Sequence, residues 1–305
     1  MILVFGTVCM DRILRVPSLP SPGGYVEVQS ELTLLGGEAA NTANALTSWG
    51  DEAVLTANPL GLSQDSNLLR TLLYERNLHP TELLGPDWKA EDVATPVCDI
   101  YVTDDGDRTM FGRGFSALDK YLSLDPVPWR NGDWFTAEPN METASRLAAR
   151  KAQAEGMNLY LMDFIQPDDP IYPGSYWQSS TDWAGHKNNT QRNVQWVKQF
   201  VAKNGCFAVL SDGPNGFVAG SPDLPVRAYP PFPAPSVVDT TGAGDLFRAG
   251  MLHGLSKGWV LSECLRFASA AGCLKCQFLG ATVTVPTVEQ VERHIAENGD
   301  VSTQY

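Results

Sequence analysis

Apolar residues follow two rhythms along the chain. Short unbroken runs, ILVFGTV at the start, NLYLMDFI from Asn158 and FAVLSDG from Phe207, read as strands buried on both faces. Between them, apolar positions recur every three or four residues in GGEAANTANALTSWG, DSNLLRTLLYERN, METASRLAARKAQAEG and NTQRNVQWVKQFVAKNG, the spacing of helices with one buried face. EAVLTANPLG adds a strand, and a Gly-Gly turn opens the first helix, which Gly50 closes. Strand and helix alternate over most of the length. The expected fold class is therefore α/β, a three-layer α/β/α domain spanning residues 1–305 around a central, mostly parallel sheet.

Two stretches break the alternation, YVEVQSELTLL (Tyr25 to Leu35) and PVCDIYVTDDGDRTMFGR (Pro96 to Arg113). The second alternates on both sides of Asp105-Gly106, a strong hairpin signal. Residues 12–35 and 96–115 together predict a small antiparallel sheet, either a lid over a site at the edge of the main sheet or a hairpin without function. The prolines between Pro222 and Pro235 mark an extended connection rather than a domain linker.

Composition narrows the function. Acidic residues outnumber basic ones by 35 to 22, so a net charge of −13 argues against nucleic acid and anionic membranes as partners. The N-terminal apolar run lacks the basic flank and cleavage site of a signal peptide, and a cytoplasmic location is expected. Six cysteines are too few for a disulfide scaffold. Cys273 and Cys276 form a C-x-x-C inside an apolar helical segment without a second such pair, so they read as two small core residues. Asn188-Asn189-Thr190 matches a glycosylation sequon by chance.

The strongest chemical signal is VVDTTGAGDLFRAGMLHGLSKG, Val237 to Gly258, where Gly242-Ala243-Gly244 feeds a helix that Gly258 stops. Glycine permits positive φ and close approach, so successive N–H groups can point at one anion, and the helix dipole adds to the attraction. Asp245 falls where its carboxylate could reach the same place. Amides supporting a phosphoryl group beside a base for the attacking hydroxyl are the parts of phosphoryl transfer. Taken alone, Asp245 reads equally well as a charge complementing a helix N-terminus.

The longer string D-T-T-G-A-G-D-x-F resembles the C-terminal signature of the ribokinase-like family, the PfkB carbohydrate kinases. GTVCMDRIL places Asp11 like the family's sugar-binding aspartate at the end of its first strand, and LLGGEAANTANALTSWG resembles the N-terminal signature through Gly36, Gly37 and Asn41. DGDRTMF resembles the lid hairpin, VLSDGPNGFV the glycine turn beside the nucleotide, and FASAAGCLKCQFLGATVTVPTVEQVE the closing helices and final strand. Nearly the whole chain is covered in order.

The resemblance implies ATP-dependent phosphorylation of a sugar-like hydroxyl, with Asp245 as base and Gly242, Ala243 and Gly244 as anion hole. Asp11, Gly36, Gly37, Asn41 and Arg113 would bind the acceptor, and Asn188, Ser211, Gly213, Gly216, Thr241 and Ser269 the nucleotide. Mg²⁺ would bridge the phosphates, and carbonyls near Asp239 and Thr241 would bind K⁺ as in some relatives. Several positions depart from the pattern. The family's Asn-x-x-Glu has no counterpart in HKNNTQRN, which offers Asn188, Asn189 and Gln191. Ser269 stands where relatives carry an Asn near adenine, and Arg248, where Asn is frequent, is expected at the surface. Arg108 and Arg113 would either greet an acidic sugar or face water. A sugar kinase is the first expectation; a nucleoside kinase of the same fold and a catalytically weak sugar- or nucleotide-binding regulator are the alternatives. An oxidoreductase is excluded because GTVCMD lacks the G-x-G-x-x-G turn. The lid strands leave two assemblies open, a homodimer paired through the lid and a monomer.

Overall fold

The computed structural model describes residues 1–104, 108–116, 118–281 and 283–305. The first part of the chain runs β1 (Ile2–Gly6), β2 (Cys9–Arg15), β3 (Ser30–Gly36), α1 (Glu38–Ser48), β4 (Ala53–Ala57), α2 (Gln64–Glu75) and β5 (Thr81–Glu82). It continues through β6 (Val97–Val102), β7 (Arg108–Arg113), β8 (Trp134–Ala137), α3 (Glu142–Ala154), β9 (Asn158–Met162), β10 (Tyr176–Ser180) and α4 (Thr190–Asn204). The last part is β11 (Phe207–Ser211), β12 (Phe217–Gly220), β13 (Arg227–Tyr229), α5 (Ala243–Ser256), α6 (Leu261–Lys275), α7 (Val288–Glu297) and α8 (Gly299–Ser302).

Among the described residues, nine strands form the large sheet in the order β13-β12-β11-β10-β9-β8-β1-β4-β5. Neighbours pair in parallel from β11 to β5, and β12 and β13 complete the edge antiparallel. The period of two along a strand explains the layers. In β1, Ile2 and Val4 join one buried cluster with α1, α5, α6 and α7, while Leu3 and Phe5 join another beneath α3. β9 and β11 divide in the same way, Tyr160 to one side and Leu159 and Leu161 to the other, Phe207 and Val209 opposite Ala208 and Leu210. A sheet covered on both faces needs the unbroken apolar runs seen in these strands.

A second sheet has the order β3-β2-β6-β7. The hairpin predicted across Pro96 to Arg113 forms as β6 and β7, but its turn at Asp105-Gly106 lies outside the described residues. The small sheet is not purely antiparallel as expected, because β2 and β6 come from separate passes and pair in parallel from Met10 to Arg15. Residues 25–29 precede β3 without strand structure. The segment 277–287 contains no strand among its described residues, so the expected final strand is replaced by turns leading into α7.

Cys273 and Cys276 are free thiols, and Cys276 caps α6 instead of lying within it. Their Sγ atoms donate to the carbonyls of Phe232 and Gly272. No helix among the described residues is long and apolar enough to cross a membrane.

Candidate active site

Ligands of open parallel sheets sit beyond the C-terminal ends of the strands. Thr7 after β1, Glu138 after β8, Asp163 after β9 and Ser179 within the end of β10 occupy that edge. Glu138 is wholly buried, accepts hydrogen bonds from the Thr7 hydroxyl and backbone N–H, and takes the Asn140 N–H at 2.9 Å. Asp163, in the left-handed region at φ 59°, accepts from the Ser179 hydroxyl at 2.6 Å.

The glycine turn enters α5 beside these groups. Gly242 has φ 79°, and a Cβ there would lie 2.9 Å from the Cα of Ala281, so neither the conformation nor the space admits another residue without strain. The Ala243 N–H closes the turn onto Thr240 O at 3.2 Å, and Leu246 begins the helical ladder onto Gly242 O at 3.0 Å. Among the described residues, the first-turn amides left without an acceptor are those of Gly244 and Asp245. Space before Gly244 is open, since an added Cβ would meet only Gln178 Nε2 at 3.9 Å. Gln178 anchors this turn by donating to Gly244 O at 2.9 Å while accepting from the Tyr160 hydroxyl at 2.7 Å. The arrangement fits a phosphate oxygen.

Asp245 is 5% exposed and accepts from the Asn41 Nδ2 at 2.7 Å, a bond that ties α1 to α5 across 204 residues of sequence. Burial raises its carboxyl to about 6; Arg248 and the Asn41 donor pull the other way, and Asp163 and Glu138 add to the rise. Arg248 is fully buried, contrary to the expected surface position, because it lies three residues from Asp245 and faces α1 with it. Its guanidinium donates to Thr42 Oγ1 at 2.8 Å and Glu38 O at 2.6 Å and stands 3.7 Å from Asp245 Oδ1. Among the described residues Arg248 Nη1, Asn41 Oδ1 and Glu38 Oε2 are enclosed without a hydrogen-bond partner.

Asp11 lies within β2 of the small sheet, not at the end of β1. Burial raises its carboxyl to about 6, with the Cys9 thiol opposing and Asp239 adding to the rise. A Cβ at Gly36 would overlap the Asp11 carboxylate, and one at Gly37, where φ is 97°, would overlap Thr7 O. Asp11, Gly36, Gly37 and Asn41 are thus brought to the junction of the two sheets. Arg113 instead pairs with Asp99 within the small sheet at 3.1 Å and is exposed.

On the far side, Asn188 and the turn after β11 meet. Asp212 accepts from the Asn188 N–H at 3.1 Å and from Thr181 Oγ1 at 2.7 Å, and Asn215 bridges Asn188 Oδ1 and Asp212 Oδ2. Gly213 and Gly216, both at positive φ, shape this turn, and Ser211 ends β11 beside Ser179 O at 3.4 Å. Ser269 is buried under Tyr305, whose hydroxyl bonds it at 2.7 Å.

The profile of the pfkB family carbohydrate kinases matches residues 180–288. An uncharacterized sugar kinase of Dictyostelium discoideum is 31% identical over 360 residues, covering 97% of this chain and 98% of its own. Mouse ketohexokinase is 40% identical over 293 residues, covering 92% and 97%. The chain belongs to the pfkB family of carbohydrate kinases. A ribokinase structure from Giardia lamblia superposes with TM-score 0.81 at 15% identity over 97% of this chain and 98% of that one, so the fold is ribokinase-like. As a pfkB kinase the protein is a phosphotransferase with a hydroxyl acceptor.

Periodicity alone did not single out Glu138, Asp163 or Gln178, which the fold brings beside Asp245 and its turn, nor the fully buried Lys275. Glu138 and Asp163 had a signal, a carboxylate directly after a buried strand. Lys275 had another, the lone cation inside FASAAGCLKCQFLG.

Proposed function

We propose that this kinase transfers the γ-phosphoryl group of ATP to a hydroxyl of a small sugar, with Asp245 as general base. The observation that carries this assignment is the Asp245 carboxylate, buried in the first turn of α5, where it accepts from Asn41 and where the Gly244 and Asp245 amides have no acceptor among the described residues. The acceptor oxygen bonds to the γ-phosphorus, its proton passes to Asp245, and the bond to the β,γ-bridging oxygen breaks to release ADP. Main-chain donors at Gly244 and Asp245 support the charge on the moving group without reorganising, while the Ala243 N–H is spent closing the turn onto Thr240 O. A carboxyl raised to about 6 is a stronger base than an ordinary aspartate at about 3.9 and is still mostly ionised at pH 7.

Asp11, Gly36, Gly37 and Asn41 hold the acceptor, and the small sheet, where Arg113 is paired with Asp99, acts as the lid of a single domain spanning residues 1–305. Asn188, Ser211, Gly213, Gly216 and Thr241 line the nucleotide side, with Ser269 behind them. The open cradle before Gly244 suits ATP phosphates. Mg²⁺, which takes one or two carboxylates along with phosphate oxygens, would draw on Asp163, the half-buried carboxylate that follows β9; it would supply charge neutralisation. Exposed Leu32, Met110 and Phe111 on the lid support its pairing with a second copy in a homodimer.

The test is single turnover with γ-labelled ATP across hexoses, pentoses, sugar acids and nucleosides, comparing wild type with Asp245→Asn. The expected result is label on a sugar and a loss of roughly 100-fold or more in the variant, with folding intact. Label appearing only on nucleosides would replace the acceptor class. Binding without transfer in the wild type would make the protein a regulator.

A further inference from the structure

Of the donors expected to hold K⁺, Asp239 is already taken up by a side chain of this protein, so the site does not fit that ion. Lys275, the last residue of α6, has a fully buried side chain. Its Nζ donates to Asp239 O at 2.8 Å and Phe278 O at 3.2 Å and lies 4.0 Å from Asp239 Oδ2. Two main-chain carbonyls and a carboxylate are the oxygens a monovalent cation recruits, and a lysine ammonium is a compact point charge with three donors to offer them. The C-terminal end of α6 adds its own negative potential at the same place.

The surrounding bonds show what this charge holds. The Asp239 carboxylate accepts the Thr241 N–H at 2.9 Å and the Gly280 N–H at 2.7 Å, so it fixes the loop leading to Gly242 against the loop that packs on it. Val238 and Asp239 both donate their N–H groups to Cys276 O, at 2.8 and 3.1 Å. Residues 238–242 are thereby clamped between the end of α6 and residues 278–281. The positive φ of Gly242 and its approach to Ala281 depend on both loops keeping their places.

We propose that Lys275 is a tethered monovalent cation: its ammonium takes the position of a bound K⁺, holds residues 239–242 in the shape that presents the anion-binding amides, and makes turnover independent of added K⁺. Lys275 is a positioning residue, not one that touches the reacting atoms. The inference deepens the kinase assignment above and rests on it for its effect on turnover, but not for its effect on cation binding.

Wild-type kcat is measured at constant ionic strength in KCl, NaCl and tetramethylammonium chloride, alongside Lys275→Ala, which vacates the oxygens, and Lys275→Met, which fills the space without charge. The wild type is expected to vary by less than about two-fold among the salts. Lys275→Ala should lose roughly ten-fold or more in kcat in tetramethylammonium, with little change in acceptor KM, and recover most of it in KCl; Lys275→Met should stay low in every salt. Thermal unfolding in the same salts provides a readout that needs no catalysis, with K⁺ raising the Tm of Lys275→Ala but not of the wild type. Activation of the wild type by K⁺ beyond about two-fold, or a folded Lys275→Ala indifferent to K⁺ in both kcat and Tm, overturns the proposal. Should no preparation turn over, the kinase assignment fails while the Tm comparison still decides the cation site. Should Lys275→Ala not fold, the salt response of the wild type decides it.

Discussion

Asn41→Leu removes the donor that reaches Asp245 at 2.7 Å while keeping a helix-forming side chain of similar size. Among the described residues the Asn41 Oδ1 has no hydrogen-bond partner, so the bond this amide loses is the one to Asp245. A hydrogen bond to a charged group is worth about 1.5–3 kcal/mol, and about 1.4 kcal/mol corresponds to one pH unit. The carboxyl, already raised to about 6 by burial, should therefore titrate about one to two pH units higher in the variant. At pH 7 its ionised fraction would fall from roughly nine-tenths to half or less. The assay is kcat at saturating ATP and acceptor from pH 5 to 9, which removes any change in acceptor affinity from the comparison. The acid limb should move up by that amount, and activity should recover toward wild type at high pH. An acid limb that stays in place in a folded variant would mean that Asp245 is not the base or that Asn41 does not set its basicity.

Asp11→Ala should raise the KM for the acceptor by roughly ten-fold or more while leaving the KM for ATP within about two-fold; an effect confined to ATP would move the acceptor to the other end of the cleft. Burial raises Asp11, Asp163 and Asp245 to about 6 and Glu38 upward as well, so the native state binds more protons than the unfolded chain between about pH 4 and 6. Their contribution to stability therefore falls as pH rises through that window. Burial lowers His294, which acts in the opposite direction, and the lowered carboxyls of Asp51, Asp239 and Glu289 do the same, but those three are already ionised in both states across the compared range, which leaves His294 as one group against four. Tm should be higher at pH 5.5 than at pH 7.5 by differential scanning calorimetry, and a drop on acidification would refute this electrostatic account.

Much of this architecture was legible because strand and helix periods differ so clearly. Unbroken runs such as ILVFG and FAVLS became strands covered on both faces, and Gly242 to Asp245 became the start of a helix with free amides. Asn41 and Asp245 were each ambiguous alone; only folding brings them to 2.7 Å. Arg248 was misread because charge suggested solvent, whereas its three-residue spacing from Asp245 put it on the same inward face. Asp11 was assigned to the wrong sheet because nothing in GTVCMDRIL marks that the chain leaves β1 at Gly6 and enters a different sheet at Cys9. Lys275 was hidden because its partners are carbonyls, which carry no side-chain signature.

The location of Asp11 on β2 has an implication for fidelity. Under the proposed assignment, an acceptor held by Asp11 and Asp245 touches the small sheet on one side and the helix packed on the large sheet on the other, two sheets that the chain links through residues 7–8, Gly37, 83–96 and 114–133. A water molecule can sit beside the base but cannot make that bridge. On that assignment, idle cleavage of ATP would be disfavoured by size, since a single water cannot make both contacts at once.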